Sequence, residues 1–412
     1  MPAPVADGAV ASGPVTAAEQ AVLDLISTAE ITTLTRSLVA APGENPPGAE
    51  AATATVLAEA CTDAGLACTL TEVEPGRPNV SVTLGAADGP GLLLLGHTDV
   101  VPVGAGWTVD PLGGLVREGR LFGRGATDMK GGLAACIAAL AALGRSGTPL
   151  SGPVELAAVV DEEEAGKGIR AFMAAADRSG FLGCIVAEPT DLQTIIAARG
   201  DAYLEVTIRG RAAHSGNPDE GANAVYGAAA VISDLETWHH ELAGSAHRLI
   251  GPAAWSVGQV HGGTGTSIVP AECVLVADRR LLPQESGDEV LAAATERVAR
   301  LRLEQRGLSV EVRLTMEMPG FETPADHPLV AVADGAVGAA GGPGLPLGGW
   351  TAACDGGFVA RDAGVPVVVL GPGSIADQAH RADESVGLDE LCVAARAYAL
   401  AAMRLLGRAD RG

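Results

Sequence analysis

Two histidines and a set of carboxylates in this chain share one setting: each lies at the end of a short apolar run or beside one. In LLLLGHTDVVP (residues 92–102), four leucines lead into Gly96, His97 and Asp99, and a proline closes the segment. A neutral imidazole suits zinc, and a carboxylate close by can fix the ring's tautomer. GRGATDMKGG places Asp128 just ahead of the apolar run LAACIAAL. VELAAVV ends in Asp161, Glu162, Glu163 and Glu164, and GCIVA ends in Glu188 before a proline. VPVVVLGPGSIADQAH leads to His380. Singly, each has an ordinary reading: a capped turn at His97, a helix cap at Asp128, a solvated acidic run, a proline turn at Glu188, a loop histidine. Together, two imidazoles and three carboxylates form the inventory of a two-metal hydrolase. One carboxylate would bridge the ions, and an extra glutamate beside a ligand glutamate would act as base toward the activated water.

Such a centre needs its residues delivered to one place. Apolar runs bounded by Gly and Pro read as buried strands, and alternation with helical segments predicts a mixed α/β sheet with helices on its faces. In an open sheet of this kind, strand C-termini line a common ligand-binding edge. The expected helices include Ala17 to Leu38, Ala49 to Gly65, and one from Leu388 onward. From about Arg199 the texture changes to alternating strands such as AYLEVTIRG, in the order strand-helix-strand-strand-helix-strand of a ferredoxin-like unit. The expected division is 1–198 for a first catalytic segment, 199–318 for an inserted α+β domain, and 319–412 for a second catalytic segment. Residues 1–20, rich in Pro, Gly and Ala, are expected to be flexible.

Composition narrows the function. Apolar residues make up 48% of the 412, which marks a globular chain, and a net charge of −23 argues against nucleic acid and anionic membrane as partners. Seven dispersed cysteines without a C-x-x-C pair read as small buried hydrophobes and suit a reducing cytoplasm. No signal-peptide pattern opens the sequence, and no uninterrupted apolar stretch approaches the ~18 residues of a membrane span. The only lysines, Lys130 and Lys167, fall inside the motif stretches, where solvated loop positions and catalytic ones are both open.

The ordered set HTDVVP, GRGATDMKGG, DEEEAGKG, AEPT, GRAAHSGNPDEGANAV, DRRLLP and GPGSIADQAHRADESV resembles the M20 metallopeptidase/deacylase family, in its acetylornithine deacetylase and succinyl-diaminopimelate desuccinylase branch. The resemblance implies a zinc-aminopeptidase-like catalytic domain with an inserted ferredoxin-like lid, or dimerisation, domain. It implies two divalent ions, zinc or else cobalt, held by His97, Asp128, Glu163, Glu188 and His380. Asp128 would bridge, Asp99 would orient His97, and Glu162 would be the general base. His214 would reach across a homodimer to polarise the scissile carbonyl. Arg280 would bind the substrate carboxylate, with Ser267 and the amides of Gly371 and Gly373 adding contacts. Glu rather than Asp at position 188 points to an N-acyl amino acid substrate. Carboxypeptidase or dipeptidase activity stays open, as does a catalytically silent binding protein on the same fold. Cys354-Asp355-Gly356-Gly357 stands where some desuccinylases carry Ser-Asp-Gly-Arg, one cation fewer for a second substrate carboxylate.

Overall fold

The computed structural model describes residues 13–85 and 89–407. They fall into two compact units, one built from 13–85, 89–196, 322–348 and 358–407, the other from 197–321 and 349–357.

The first unit opens with α1 (Ala17–Leu23) and α2 (Thr28–Ala40) in place of the single expected helix. Asp24 ends the first, and the Ser27 side chain caps the second. The flexibility expected through residue 20 does not extend to this helix. Thr16 and Glu19 cap it reciprocally, and buried Glu19 accepts a hydrogen bond from Arg404 Nε at 2.8 Å. Residues 1–12 lie outside the described residues.

After α3 (Ala51–Asp63) come β1 (Cys68–Glu74), β2 (Arg77–Leu84) and β3 (Gly91–His97). Then follow α4 (Gly131–Ser146), β4 (Val154–Val159), α5 (Lys167–Ala175) and β5 (Phe181–Val186). Every residue of β3 is buried, as its unbroken leucine run requires. The sheet runs β1-β2-β4-β3-β5 and continues to a strand at Val367–Val369. That strand, β3, β4 and β5 are mutually parallel where they pair, while β1 and β2 form an antiparallel margin. The parallel strands therefore end on one edge, carrying His97, the Asp161–Glu164 turn, Glu188 and the loop to His380. Among the described residues, one helical stretch, Ala126–Ser146, has the length and apolarity to cross a membrane; it is almost wholly buried in the protein.

The second unit contains β6 (Gly200–Arg209), α6 (Ala224–Leu242), β7 (Ala254–Gly262), β8 (Glu272–Leu281), α7 (Gly287–Arg300) and β9 (Ser309–Met318). Its sheet order is β7-β8-β6-β9, all antiparallel. This strand order and connectivity are those of a ferredoxin-like unit. Alternation sorts its faces. Ala202, Leu204, Val206 and Ile208 of β6 join Cys273, Leu275 and Ala277 of β8 and the apolar sides of both helices in one core. The strand at Val367–Val369, β10, and the helix Leu388–Leu406, α8, complete the elements needed here.

Candidate metal centre

Asp128 reaches the sheet edge because a glycine makes room. A side chain at Gly96 would sit 2.4 Å from Met129 Cε and 2.9 Å from Leu133, so only Gly lets the 126–130 turn lie against β3. Asp128 is not a helix cap: α4 begins after Lys130. Glu384 shapes its turn, accepting the amides of Thr127 and Asp128 at 2.9 and 3.0 Å and that of Gly125 at 3.1 Å. Glu384 is itself paired with Arg124 at 2.7 Å.

The five proposed ligands meet around Asp128. Its Oδ1 lies 3.2 Å from His97 Nε2, and its Oδ2 lies 3.2 Å from His380 Nε2. Glu188 Oε1 is 3.3 Å from His97 Nε2, and Glu163 Oε2 is 3.2 Å from His380 Nε2. Two groups result, His97–Asp128–Glu188 and Asp128–Glu163–His380, each with its donor atoms within 4.8 Å of one another. Oε1 of Glu163 is buried without a hydrogen-bond partner. Three carboxylates crowded against two imidazoles, one carrying an orphaned oxygen, fit a pair of divalent cations sharing one carboxylate.

The electrostatics agree with that excess of negative charge. Burial pushes the Glu188 carboxyl up to about 7. Hydrogen bonds to Asp128 and Glu163 raise His380 to about 10. Burial disfavours a charged His97, yet Glu188, Asp128 and Asp99 together hold it well above its ordinary value. Asp128 is also penalised by burial, but its bonds to both imidazoles hold it below the usual carboxylate range.

Asp99 faces His97 with both its backbone and its side chain. His97 Nδ1 lies 3.0 Å from the Asp99 main-chain oxygen and 3.6 Å from its carboxylate, so the backbone carbonyl is the nearer acceptor that orients the ring. The carboxylate has further partners. It accepts the amides of Glu162 and Glu163 at 3.2 and 3.1 Å and the Asn45 side-chain N–H at 3.0 Å. Asn45 also donates to Asp161 at 3.1 Å, and Arg77 pairs with both Asp161 and Glu50. Asp161 sits at φ +69°, a left-handed conformation uncommon outside glycine. These partners hold the turn so that Glu162 follows β4 toward the ligands, with Oε2 3.9 Å from His97 Nε2. Lys130, for which a solvated loop position was open, is buried and donates to the Ala41 carbonyl at 2.7 Å. Lys167 pairs with Glu74 at the surface.

The glycine amides are not available to a ligand. Gly371 N–H donates to Thr190 Oγ1 at 3.1 Å, and Gly373 N–H donates to Glu390 at 2.8 Å. Gly371 is needed for packing instead, since a Cβ there would meet the Ala187 and Glu188 carbonyls at 2.4 and 2.5 Å.

The remaining candidates lie in the second unit. His214 is exposed and bridges to Ile268, beside Ser267, whose carbonyl accepts the Ser215 amide at 3.0 Å. Gly216 N–H donates to His214 Nδ1 at 3.0 Å, which leaves the proton on Nε2 of the neutral ring. Arg280 is paired with Asp278 at 2.8 Å and Asp201 at 3.3 Å.

Asn45, Arg77 and Glu384 escaped the sequence reading. Glu384 carries a faint signal, four residues past His380 in the same polar stretch, and Asn45 stands in the Pro-rich turn GENPPG.

Comparison with known proteins identifies the family. The family model for peptidase family M20/M25/M40 matches residues 93–404. An acetylornithine deacetylase of Proteus mirabilis is 36% identical over 331 residues, covering 77% of this chain and 81% of its own length. That of Photorhabdus laumondii is 32% identical over 327 residues, with 77% and 81% covered. The Bacillus subtilis protein YXEP, a dinuclear metal-binding peptidase of family M20, shares the fold, with a TM-score of 0.70, 17% identity, and 92% of this chain and 98% of its own covered. The chain thus belongs to peptidase family M20/M25/M40, in its deacylase branch, and is a metal-dependent amidohydrolase.

Proposed function

We propose that the protein hydrolyses the amide bond of an N-acyl amino acid, with an acetyl group favoured over a succinyl group. The observation that carries the reading is the pair of ligand groups sharing Asp128, with Glu162 beside the buried one. His97, Asp128 and Glu188 would hold one divalent ion, and Asp128, Glu163 and His380 the other. When bound, such ions polarise an acyl carbonyl and bring the pKa of water down to about 7.

Glu162 is the general base. Its carboxylate takes a proton from the attacking water and returns it to the departing amine nitrogen. Asp99 serves this step by fixing the main chain of Glu162 through its amide. His214, with its proton on Nε2, is suited to donate to the developing oxyanion, supplied across a homodimer. Arg280 would bind the substrate carboxylate, and Ser267 would contribute a shorter-reaching contact. The reading places the enzyme in the cytoplasm, with zinc as the metal and cobalt as an alternative.

The test is a panel of N-acetyl, N-succinyl and N-formyl amino acids against dipeptides, using metal-replete protein. Fastest release of free amino acid from N-acetyl substrates is expected, and preference for dipeptides would overturn the reading. Sedimentation of the same preparation as a monomer would remove the dimer.

A further inference from the structure

Arg280 stands in a polar patch built by strand register. It lies directly opposite Asp201 across β8 and β6, and Tyr203 lies opposite Asp278. Side chains alternate along a strand, so these four share one face of the sheet. The intervening residues Ala202, Leu204 and Ala277 belong to the core on the helix side. The neighbouring Arg279 also points that way, buried against Trp255 and paired with Glu285. The two consecutive arginines are thereby sorted into different environments.

The contacts on Arg280 are one-sided. Nε donates to Asp278 Oδ1 at 3.1 Å and Nη2 to Asp278 Oδ2 at 2.8 Å, a bidentate grip. Asp201 Oδ2 is 3.3 Å from the same Nη2. Nη1 makes no hydrogen bond among the described residues, and the side chain keeps 32% of its surface exposed. Asp201 is buried, and burial together with the nearby Asp278 pushes its carboxyl up to about 7 despite Arg280. A buried carboxylate kept at that cost is explained if its position matters.

We propose that Asp201 and Asp278 are positioning residues, which grip the Nε–Nη2 edge of Arg280 and present its Nη1 edge to the carboxylate of the substrate. The inference rests on the reading that Arg280 binds that carboxylate. An unrestrained arginine would lose its side-chain freedom at each binding event, whereas here that freedom is already lost on folding. Electrostatics alone predicts the opposite sign. Removing a negative charge beside Arg280 would strengthen its pull on an anion, so the direction of the change in KM separates the two accounts.

The experiment measures kcat and KM of the metal-replete enzyme on an N-acetyl amino acid and on its carboxamide, which lacks the negative charge. Arg280→Met should raise KM for the acid by a much larger factor than KM for the amide. Asp278→Ala should raise KM for the acid about tenfold with kcat within about twofold, again with a much smaller effect on the amide. Asp278→Glu should recover part of the loss. If Arg280→Met does not change the acid-to-amide preference, the carboxylate-binding reading falls and the positioning role falls with it. If Arg280→Met changes the preference but Asp278→Ala leaves KM unchanged or lowers it, only the positioning role is overturned. Should Asp278→Ala fail to fold, Asp201→Asn carries the same measurement.

Discussion

The two halves of the proposed metal centre share Asp128 but differ in exposure. His97, Asp128 and Glu188 lie on or against the sheet edge, and the His97 side chain is 1% exposed. In the other half, His380 comes from a loop, has a left-handed backbone at φ +60°, and is 52% exposed. The buried half is held by β3, β5 and the turn that Glu384 cradles, so its donors are in place before any ion arrives. The exposed half depends on how well a loop keeps one imidazole. Burial raises a carboxyl in each half, Glu163 in the second and Glu188, up to about 7, in the first. A shared bridging ligand therefore joins a rigid, proton-sensitive site to a more accessible one.

The largest expected effect tests the base beside the buried half. Glu162→Gln should reduce kcat by about 10²–10⁴-fold, while metal analysis still finds two ions per chain. Substantial residual turnover would remove Glu162 from the proton-transfer step. Loss of metal would make it a ligand.

Next come the ligands themselves. Asp128→Ala should empty both halves, whereas His380→Ala should empty the exposed half and leave one ion on His97 and Glu188. Titration of the native protein with a chelator should likewise remove one ion before the other. Simultaneous loss of both ions, from His380→Ala and from the native protein alike, would erase the distinction between the halves.

The smallest effect is in pH dependence. An ion needs ionised carboxylates and neutral imidazoles, so binding is strong above the relevant pKa values and weakens below them. His97 and His380 each release a proton on binding, and burial raises a carboxyl in both halves, Glu163 in the exposed one and Glu188, up to about 7, in the buried one. Affinity of both halves should therefore fall from about pH 7 to 6, with the Glu188 proton added to the count of the buried half below about 7. Calorimetry in buffers of different ionisation enthalpy counts these protons, and a buried-half count that does not rise as pH falls below about 7 would contradict the assignment.

Much of this centre was legible in the sequence because buried parallel strands announce themselves as apolar runs, and their C-termini must share an edge. The apolar runs lead to His97, the Asp161–Glu164 turn, Glu188 and the loop to His380, whereas Asp128 precedes a helical run and the separate ligand roles come from the family resemblance. The supporting residues were not. Asn45 and Arg77 act on Asp99 and Asp161 from distant positions, and Glu384 serves a turn more than 250 residues away. Nothing local identifies such partners. The error at Gly371 and Gly373 has the same origin: a glycine-rich loop reads as a row of free amides until Thr190 and Glu390 are seen to occupy them.

Residue types and their order were enough for the α/β class, the strand order of the second unit and a candidate set of metal donors, because hydrophobic periodicity and metal-donor chemistry are local properties. Which oxygen faces which nitrogen, how Asp99 serves both His97 and the Glu162 turn, and which of two adjacent arginines lies on the open face of the sheet are matters of the folded chain. They depend on strand register and on contacts between distant segments, and a one-residue change of register would exchange Arg279 and Arg280 between core and open face.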